Sequence, residues 1–247
     1  MSITNFVLLL LAGCVAGFLN TLAGGGSLLT LPLFVMTGLT WESANATSRV
    51  AVLLQSASAV WGFYRQERFP WRDALVLAIP STLGALVGAL LTHLTDAAVF
   101  EPVAVTLLVG VGLAMLLVPK FTRPDLAYEV SERPIVHPLL FAVGVYAGFI
   151  QAGVGYLLLA VFAAVLGRDL ASGNAIKVAL VLVFTVVALP ILGLDAPIDW
   201  GAGLVVGGGS MVGAQLAVRF AVRASPTMLR LVLVGTLVVV IVAAIAS

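Results

Sequence analysis

The sequence predicts an all-α, polytopic membrane protein built as an inverted-topology repeat, each half a broken helical hairpin followed by three transmembrane helices. Three observations lead there. First, 62% of the 247 residues are hydrophobic and 9% are charged, with a mean hydropathy of +1.18. A soluble domain carries about 25% charged residues, so 12 basic and 11 acidic side chains cannot cover a water-facing surface. Second, apolar runs recur at about 20 residues, the length that crosses a hydrocarbon core about 30 Å thick as helix. Alternation of the outer-membrane barrel kind is absent. Third, motifs of the first half return in the second. This composition excludes a soluble enzyme, a nucleic-acid binder and a disordered chain, and a net charge of +1 offers nothing to a polyanion.

The chain opens with Ile3–Gly38, too long for one span and interrupted at Ala23-Gly24-Gly25-Gly26. Its first five residues carry no positive charge, and its apolar run outlasts a signal peptide, so a retained membrane segment is expected. Three spans follow: Ala44–Tyr64, Ala74–Leu94 and Phe100–Pro119. Residues 1–119 make the N-terminal repeat, and 120–137 a cytoplasmic linker. Residues 138–247 make the C-terminal repeat, with a hairpin Pro138–Gly167 broken at Gly153-Val154-Gly155 and spans Ser172–Leu192, Trp200–Val218 and Thr227–Ala246. After each break comes an 11-residue run, Ser27–Thr37 and Tyr156–Leu166, half a membrane as helix.

Basic residues fix the orientation. If the first hairpin enters and leaves from outside and the second from the cytoplasm, 10 of the 12 Lys and Arg residues are cytoplasmic. Both termini then lie outside a cell inner membrane. The exceptions are Arg49 and Lys177. Trp41, Trp61, Trp71 and Trp200 fall near span ends, as an aromatic belt requires.

The repeat is visible residue by residue. Ala16-Gly17-Phe18-Leu19-Asn20 matches Ala147-Gly148-Phe149-Ile150-Gln151 at an offset of 131. Gly26-Ser27-Leu28-Leu29 matches Gly155-Tyr156-Leu157-Leu158 at 129, as does Gly38 through Asn45-Ala46 with Gly167 through Asn174-Ala175. The stretch Gly84–Ala89 resembles Gly209–Ala214 at 125. Related units of opposite orientation are the architecture of secondary transporters, in which glycine-interrupted short segments mark the substrate site.

The candidate substrate site follows from that pairing. Ser27 and Tyr156 begin the two short runs, and helix N-termini present unpaired N–H groups and about half a positive charge. Gly24, Gly25, Gly26, Gly153 and Gly155 let backbone approach closely. If the tips meet near the midplane, two N-termini face one anion. Asn20 and Gln151 precede the breaks at matching positions. Asn45, Thr47, Ser48 and Arg49 open one span, Asn174 and Lys177 its counterpart. Each of these has a plainer reading beside the ligand one. Arg49 and Lys177 snorkel to headgroups, Asn45 and Asn174 cap helices, and the glycines pack helices. Gly84/Gly88 and Gly209/Gly213 are read as helix packing, and Gln55, Ser56 and Ser58 as cavity-lining or bonded to helix carbonyls.

The run Ala16-Gly17-Phe18, Gly24-Gly25-Gly26-Ser27-Leu28, Pro32, Gly38 and Ala44-Asn45-Ala46-Thr47-Ser48 resembles the TauE/SafE sulfite-exporter family. Gly173-Asn174-Ala175-Ile176-Lys177 and Val212-Gly213-Ala214-Gln215-Leu216 fit as well. The resemblance implies an inner-membrane protein that exports a small sulfur-containing anion, sulfite or an organosulfonate. This sequence departs from the pattern in two places: Val161 stands opposite Pro32, and the second glycine loop is two residues shorter and ends in Tyr156. Two other functions remain beside that one, an anion channel and a membrane scaffold that transports nothing. Partners are the anion, the bilayer and a possible second copy as a homodimer. The lone Cys14 excludes an intramolecular disulfide and a cysteine metal cluster. No catalytic set, metal motif or dinucleotide loop appears, so neither enzyme activity nor a cofactor is expected.

Overall fold

The computed structural model describes residues 3–66, 69–116, 128–168, 170–223 and 228. The described residues form α-helices, one 3₁₀ turn at Val130–Glu132, and no strand. The helices are α1 (Ile3–Leu22), α2 (Ser27–Met36), α3 (Trp41–Arg65), α4 (Trp71–His93), α5 (Ala97–Leu116), α6 (Val136–Phe149), α7 (Val154–Leu166), α8 (Leu170–Asp195) and α9 (Trp200–Arg223). The expected span Thr227–Ala246 lies outside the described residues apart from Met228, as do the end of the Phe100–Pro119 span and residues 120–127 of the linker.

Both expected breaks are present, and backbone geometry makes them. Four glycines among the described residues have positive φ, and they form two pairs 129 residues apart. Gly24 (φ 87°) pairs with Gly153 (φ 71°), and Gly38 (φ 98°) with Gly167 (φ 61°). At Gly24 and Gly153 a side chain would oppose the left-handed conformation that ends one helix and aims the next. The constant spacing moves the expected two-residue shortening. It falls before Ala152, at the end of α6, so α1 continues through Thr21 and Leu22 where α6 has already stopped.

Helix starts differ from the expected ones in a systematic way. The third helix begins at Trp41 rather than Ala44, because the Thr40 hydroxyl accepts from Ser43 N at 3.3 Å and Glu42 sits in the first turn, where the helix dipole favours an acid. The Thr40 cap removes Asn45 from that role, and Asn174 stands five residues into α8. The half-helix α7 begins at Val154 with Gly153 as its N-cap, so Tyr156 is its third residue rather than its first.

Four helices among the described residues are long and apolar enough to cross a membrane: Asn5–Leu22 in α1, α4, Ser172–Leu194 in α8, and α9. The 25-residue α3 is long enough but more polar, with buried Asn45, Thr47, Ser48, Arg49, Gln55, Ser56 and Ser58. It tolerates them because it is enclosed, packed against α2, α5, α8 and α9. Outward faces of α1 and α4 carry exposed Leu8, Leu11, Val15, Leu75, Ile79 and Leu83, the surface a bilayer solvates.

Packing joins one end of the chain to the other. The first helix packs on α9 and α6 on α4, while α3 and α8 pack against each other and against α2 and α7 respectively. Glycine makes the flanking pairs close. A Cβ at Gly13 or Gly17 would strike the α9 backbone at Val206 or Ser210, and one at Gly209 or Gly213 would strike α1 at Leu10 or Cys14. In the other pair, Gly84 and Gly88 abut Phe141 and Val145, while Gly144 and Gly148 abut Ser81 and Ala85. These are packing positions, small residues that bring backbones into van der Waals contact where no water drives association.

Candidate functional site

The two breaks meet. A Cβ on Gly24 would overlap the Gly155 backbone, and one on Gly155 would overlap Gly24. The hydroxyl of Ser27, first residue of α2, accepts from Gly153 N at 3.0 Å and donates to Gln151 O at 3.3 Å. One side chain thus stitches the start of α2 to the turn that starts α7. Across the contact, the Tyr156 ring lies against Gly25, whose added Cβ would come within 2.5 Å of Tyr156 Cε2. The N-termini of α2 and α7 are therefore neighbours, and each brings the partial positive charge of its first turn.

The preceding helices end at the same place, and their C-terminal carbonyls carry the opposite partial charge. The two buried cations answer them. Arg49 is fully buried and donates through Nη1 to Ala147 O (2.6 Å) and through Nη2 to Gly148 O (3.0 Å), at the end of α6. Asn45 Nδ2 donates to the next carbonyl, Phe149 O, at 3.0 Å. Lys177 donates to Asn20 O (2.9 Å) and Thr21 O (2.8 Å), at the end of α1, and to Asn174 Oδ1 (2.7 Å). Neither cation snorkels. No Asp or Glu is buried among the described residues whose burial is assigned. Charge-assisted bonds to backbone carbonyls stand in for ion pairs, which holds a charge in a dry interior more cheaply than leaving it bare. The electrostatic result is directional: the negative ends of α1 and α6 are each met by a cation, whereas the positive ends of α2 and α7 meet no acid among the described residues and their first N–H groups, those of Leu28, Leu29, Val154 and Tyr156, bond local turn carbonyls.

Around the tips lies a narrow cleft with room for about one water molecule. Its polar lining is Asn20, Ser27, Gln55, Ser56, Gln151 and Lys177, with Val52, Val154, Gly155, Val178 and Val181 completing it. A second hollow, equally narrow, shares Asn20, Ser27, Val52 and Gln55 and reaches Gly26 and Ser210. The lining is cross-braced. Asn20 Nδ2 donates to Gln55 Oε1 (2.5 Å), and Gln55 Nε2 to Thr21 Oγ1 (2.9 Å). On the other side Gln151 Nε2 donates to Thr185 Oγ1 (2.7 Å). Several buried polar atoms keep no partner: Ser56 Oγ, Gln151 Oε1, Tyr156 OH, Asn174 Nδ2 and Arg49 Nε. Such atoms are costly in a finished core and useful in a ligand site.

The residues singled out by sequence divide into three groups. Asn20, Ser27, Gln151, Gly155 and Lys177 line the cleft, with Gly24, Gly25, Gly26, Gly153, Tyr156 and Asn174 directly behind it. Asn45 and Arg49 are turned toward the end of α6. Thr47 and Ser48 are elsewhere: the Thr47 hydroxyl accepts from Asp199 N at 3.0 Å, and Ser48 returns to Asn45 O at 2.8 Å. Gln215 bonds Ser58 O and the Ser58 hydroxyl. Sequence reasoning missed Thr21 and Thr185 and left Gln55 and Ser56 outside the site. A signal for one pair existed, since Gln55 and Thr185 lie 130 residues apart, one residue off the main register.

Comparison with known proteins identifies the family. The family model for sulfite exporter TauE/SafE matches residues 9–244. A probable membrane transporter protein of Haemophilus influenzae is 28% identical, covering 93% of this chain and 90% of its own. The probable membrane transporter protein YfcA of Escherichia coli K12 is 27% identical over 87% of this chain and 80% of its own. A probable membrane transporter protein of Xylella fastidiosa 9a5c is 30% identical over 89% and 88%. No solved structure matches. A polytopic chain whose helices are broken by paired glycines, matched by that family model over nearly its full length, belongs to the TauE/SafE family of membrane transporters.

Proposed function

We propose that the protein is a secondary transporter that exports a small sulfur-containing anion, sulfite or an organosulfonate, across the inner membrane. The anion binds where the tips meet. The observation that carries this reading is the contact of Gly24 with Gly155, which sets two helix N-termini side by side over a cleft containing Lys177. Each N-terminus contributes about 0.3–1 kcal/mol to a nearby anion when exposed and up to about 2 when partly buried. That offsets part of the dehydration of a monoanion and far less of a dianion's, so bisulfite or a sulfonate suits the site better than sulfate.

The pairings of α1 with α9 and α6 with α4, and the matched positive-φ glycines, support two related halves of opposite orientation. With both termini outside, the basic loops face the cytoplasm, and rocking of the halves about the tips exposes the cleft alternately. Export needs no coupled ion, because each negative charge expelled gains about 2.3 kcal/mol per 100 mV.

Proteoliposomes loaded with sulfite or with methanesulfonate test the proposal. Efflux should saturate, accelerate with an inside-negative potential, and be stimulated by unlabelled anion on the far side. Efflux equal to that of empty liposomes removes the transport reading, and fast, unsaturable conductance replaces the carrier with a channel.

A further inference from the structure

The two buried cations look equivalent in sequence but are not equivalent in space. On the main register of 129, Lys177 corresponds to Ser48 and Arg49 to Val178, so the cations sit one position apart. One position is about 100° around a helix. That rotation separates them. Lys177 lines the cleft, and its stem crosses the start of α7, where a Cβ on Gly155 would come within 3.1 Å of Lys177 Cδ. Arg49 is absent from the lining and holds Ala147 O and Gly148 O.

Their neighbours differ in the same sense. The Asn45 amide N–H group is engaged by Phe149 O. Asn174 stands behind Lys177 rather than on the lining; its carbonyl oxygen is fixed by the ammonium of Lys177, which can only donate, so its Nδ2 is a donor, and that donor has no partner. Gln151, 2% exposed, lines the cleft with one amide atom unpartnered, and Ser56, fully buried, lines it with an unpartnered hydroxyl.

Building on the transport reading above, we infer that the anion's charge partner is Lys177 with Asn174 as a second donor, and that Arg49 with Asn45 is a permanent clasp on α6. The site is one-sided. In the present conformation all three ammonium donors are engaged, two of them by Asn20 O and Thr21 O. An oxyanion entering the cleft is a stronger acceptor than a carbonyl and takes those donors. Binding therefore releases the end of α1 from α8, and the same side chain that selects the ligand loosens one tip. Emptying the cleft returns the ammonium to the two carbonyls.

The test measures binding and folding separately on the full chain in detergent, with sulfite and methanesulfonate as probes. Affinity is read by titration calorimetry and stability by thermal unfolding. Lys177→Met should weaken both probes by about ten-fold or more, the order expected for losing a hydrogen bond to a charged group. Lys177→Arg should retain most of the affinity. Arg49→Met should lower the melting temperature while its folded fraction binds as wild type does. Asn174→Ala, which keeps the charge, should weaken binding several-fold and serves if Lys177→Met does not fold. Unchanged affinity in Lys177→Met or Asn174→Ala overturns the inference, as does lost affinity in Arg49→Met at normal stability. Wild-type protein that binds neither probe counts instead against the transport reading itself.

Discussion

A glycine at the tip does two separable things, and substitutions separate them. At Gly24 the backbone is left-handed and the Gly155 backbone fills the space a side chain would take. Gly24→Ala should cost about 2 kcal/mol or more, combining the 1–2 kcal/mol of a left-handed residue with overpacking that no flexible neighbour relieves. At Gly25 the nearest obstacle is the Tyr156 side chain. Gly25→Ala should lower thermal stability, and adding Tyr156→Ala should restore part of it, with a coupling in the range of about 0.5–3 kcal/mol expected for residues in contact. Additive effects in that double-mutant cycle would place the ring elsewhere. The contrast also shows what sequence conveys about a site residue. The glycines, Asn20, Gln151 and the two intramembrane cations stand out by type. Their partners do not, because Arg49 and Lys177 bond backbone carbonyls, which every residue carries.

At the scale of the helix, close packing makes adjacent positions respond with opposite signs. Gly208 and Gly209 are neighbours on α9. Nothing lies within 4 Å of a Cβ at Gly208, whereas one at Gly209 would strike Leu10 O. Gly208→Ala should stabilise by up to about 1 kcal/mol through helix propensity, and Gly209→Ala should destabilise by about 1–3 kcal/mol through overpacking. Thermal unfolding of the two variants side by side checks the interface, and a shared sign would dismiss it. The breaks were legible because glycine clusters have few other uses in an apolar run. Helix starts were less so. Trp41, Glu42 and Ser43 read as loop until Thr40 supplies a cap. The polarity of α3 likewise makes sense only once its neighbours enclose it, since hydropathy measures a residue and not its surroundings.

For the whole molecule, the pairings α1–α9 and α4–α6 mean that neither half of the chain buries its own helices. Residues 1–119 expressed alone should be degraded or aggregate, and so should 120–247, while the two together should co-purify. A stable, helical 1–119 fragment would contradict the interleaved packing. Single-cysteine labelling in a Cys14→Ser background should find Gln66 and Glu132 accessible from the same, cytoplasmic side; opposite sides would overturn the orientation drawn from the basic loops. The Asp73–Arg168 ion pair at 2.6 Å joins the start of α4 to the turn after α7. It is partly exposed, so Asp73→Asn should change stability by about 1 kcal/mol or less. Composition and glycine spacing made the polytopic class and the two helix breaks legible, but not this interleaving, because which helix lies beside which is decided by surfaces far apart in the chain.

That interleaving sets a timetable for biogenesis. The helix α1, made before the other described helices, docks against one whose residues begin at Trp200. At about 5–20 residues per second, roughly 10–40 s pass between them. For that interval the glycine face of the nascent N-terminal segment has only lipid or the insertion machinery to rest on, so a pause in translation before the ninth helix leaves the ribosome holding a chain open to quality-control proteases.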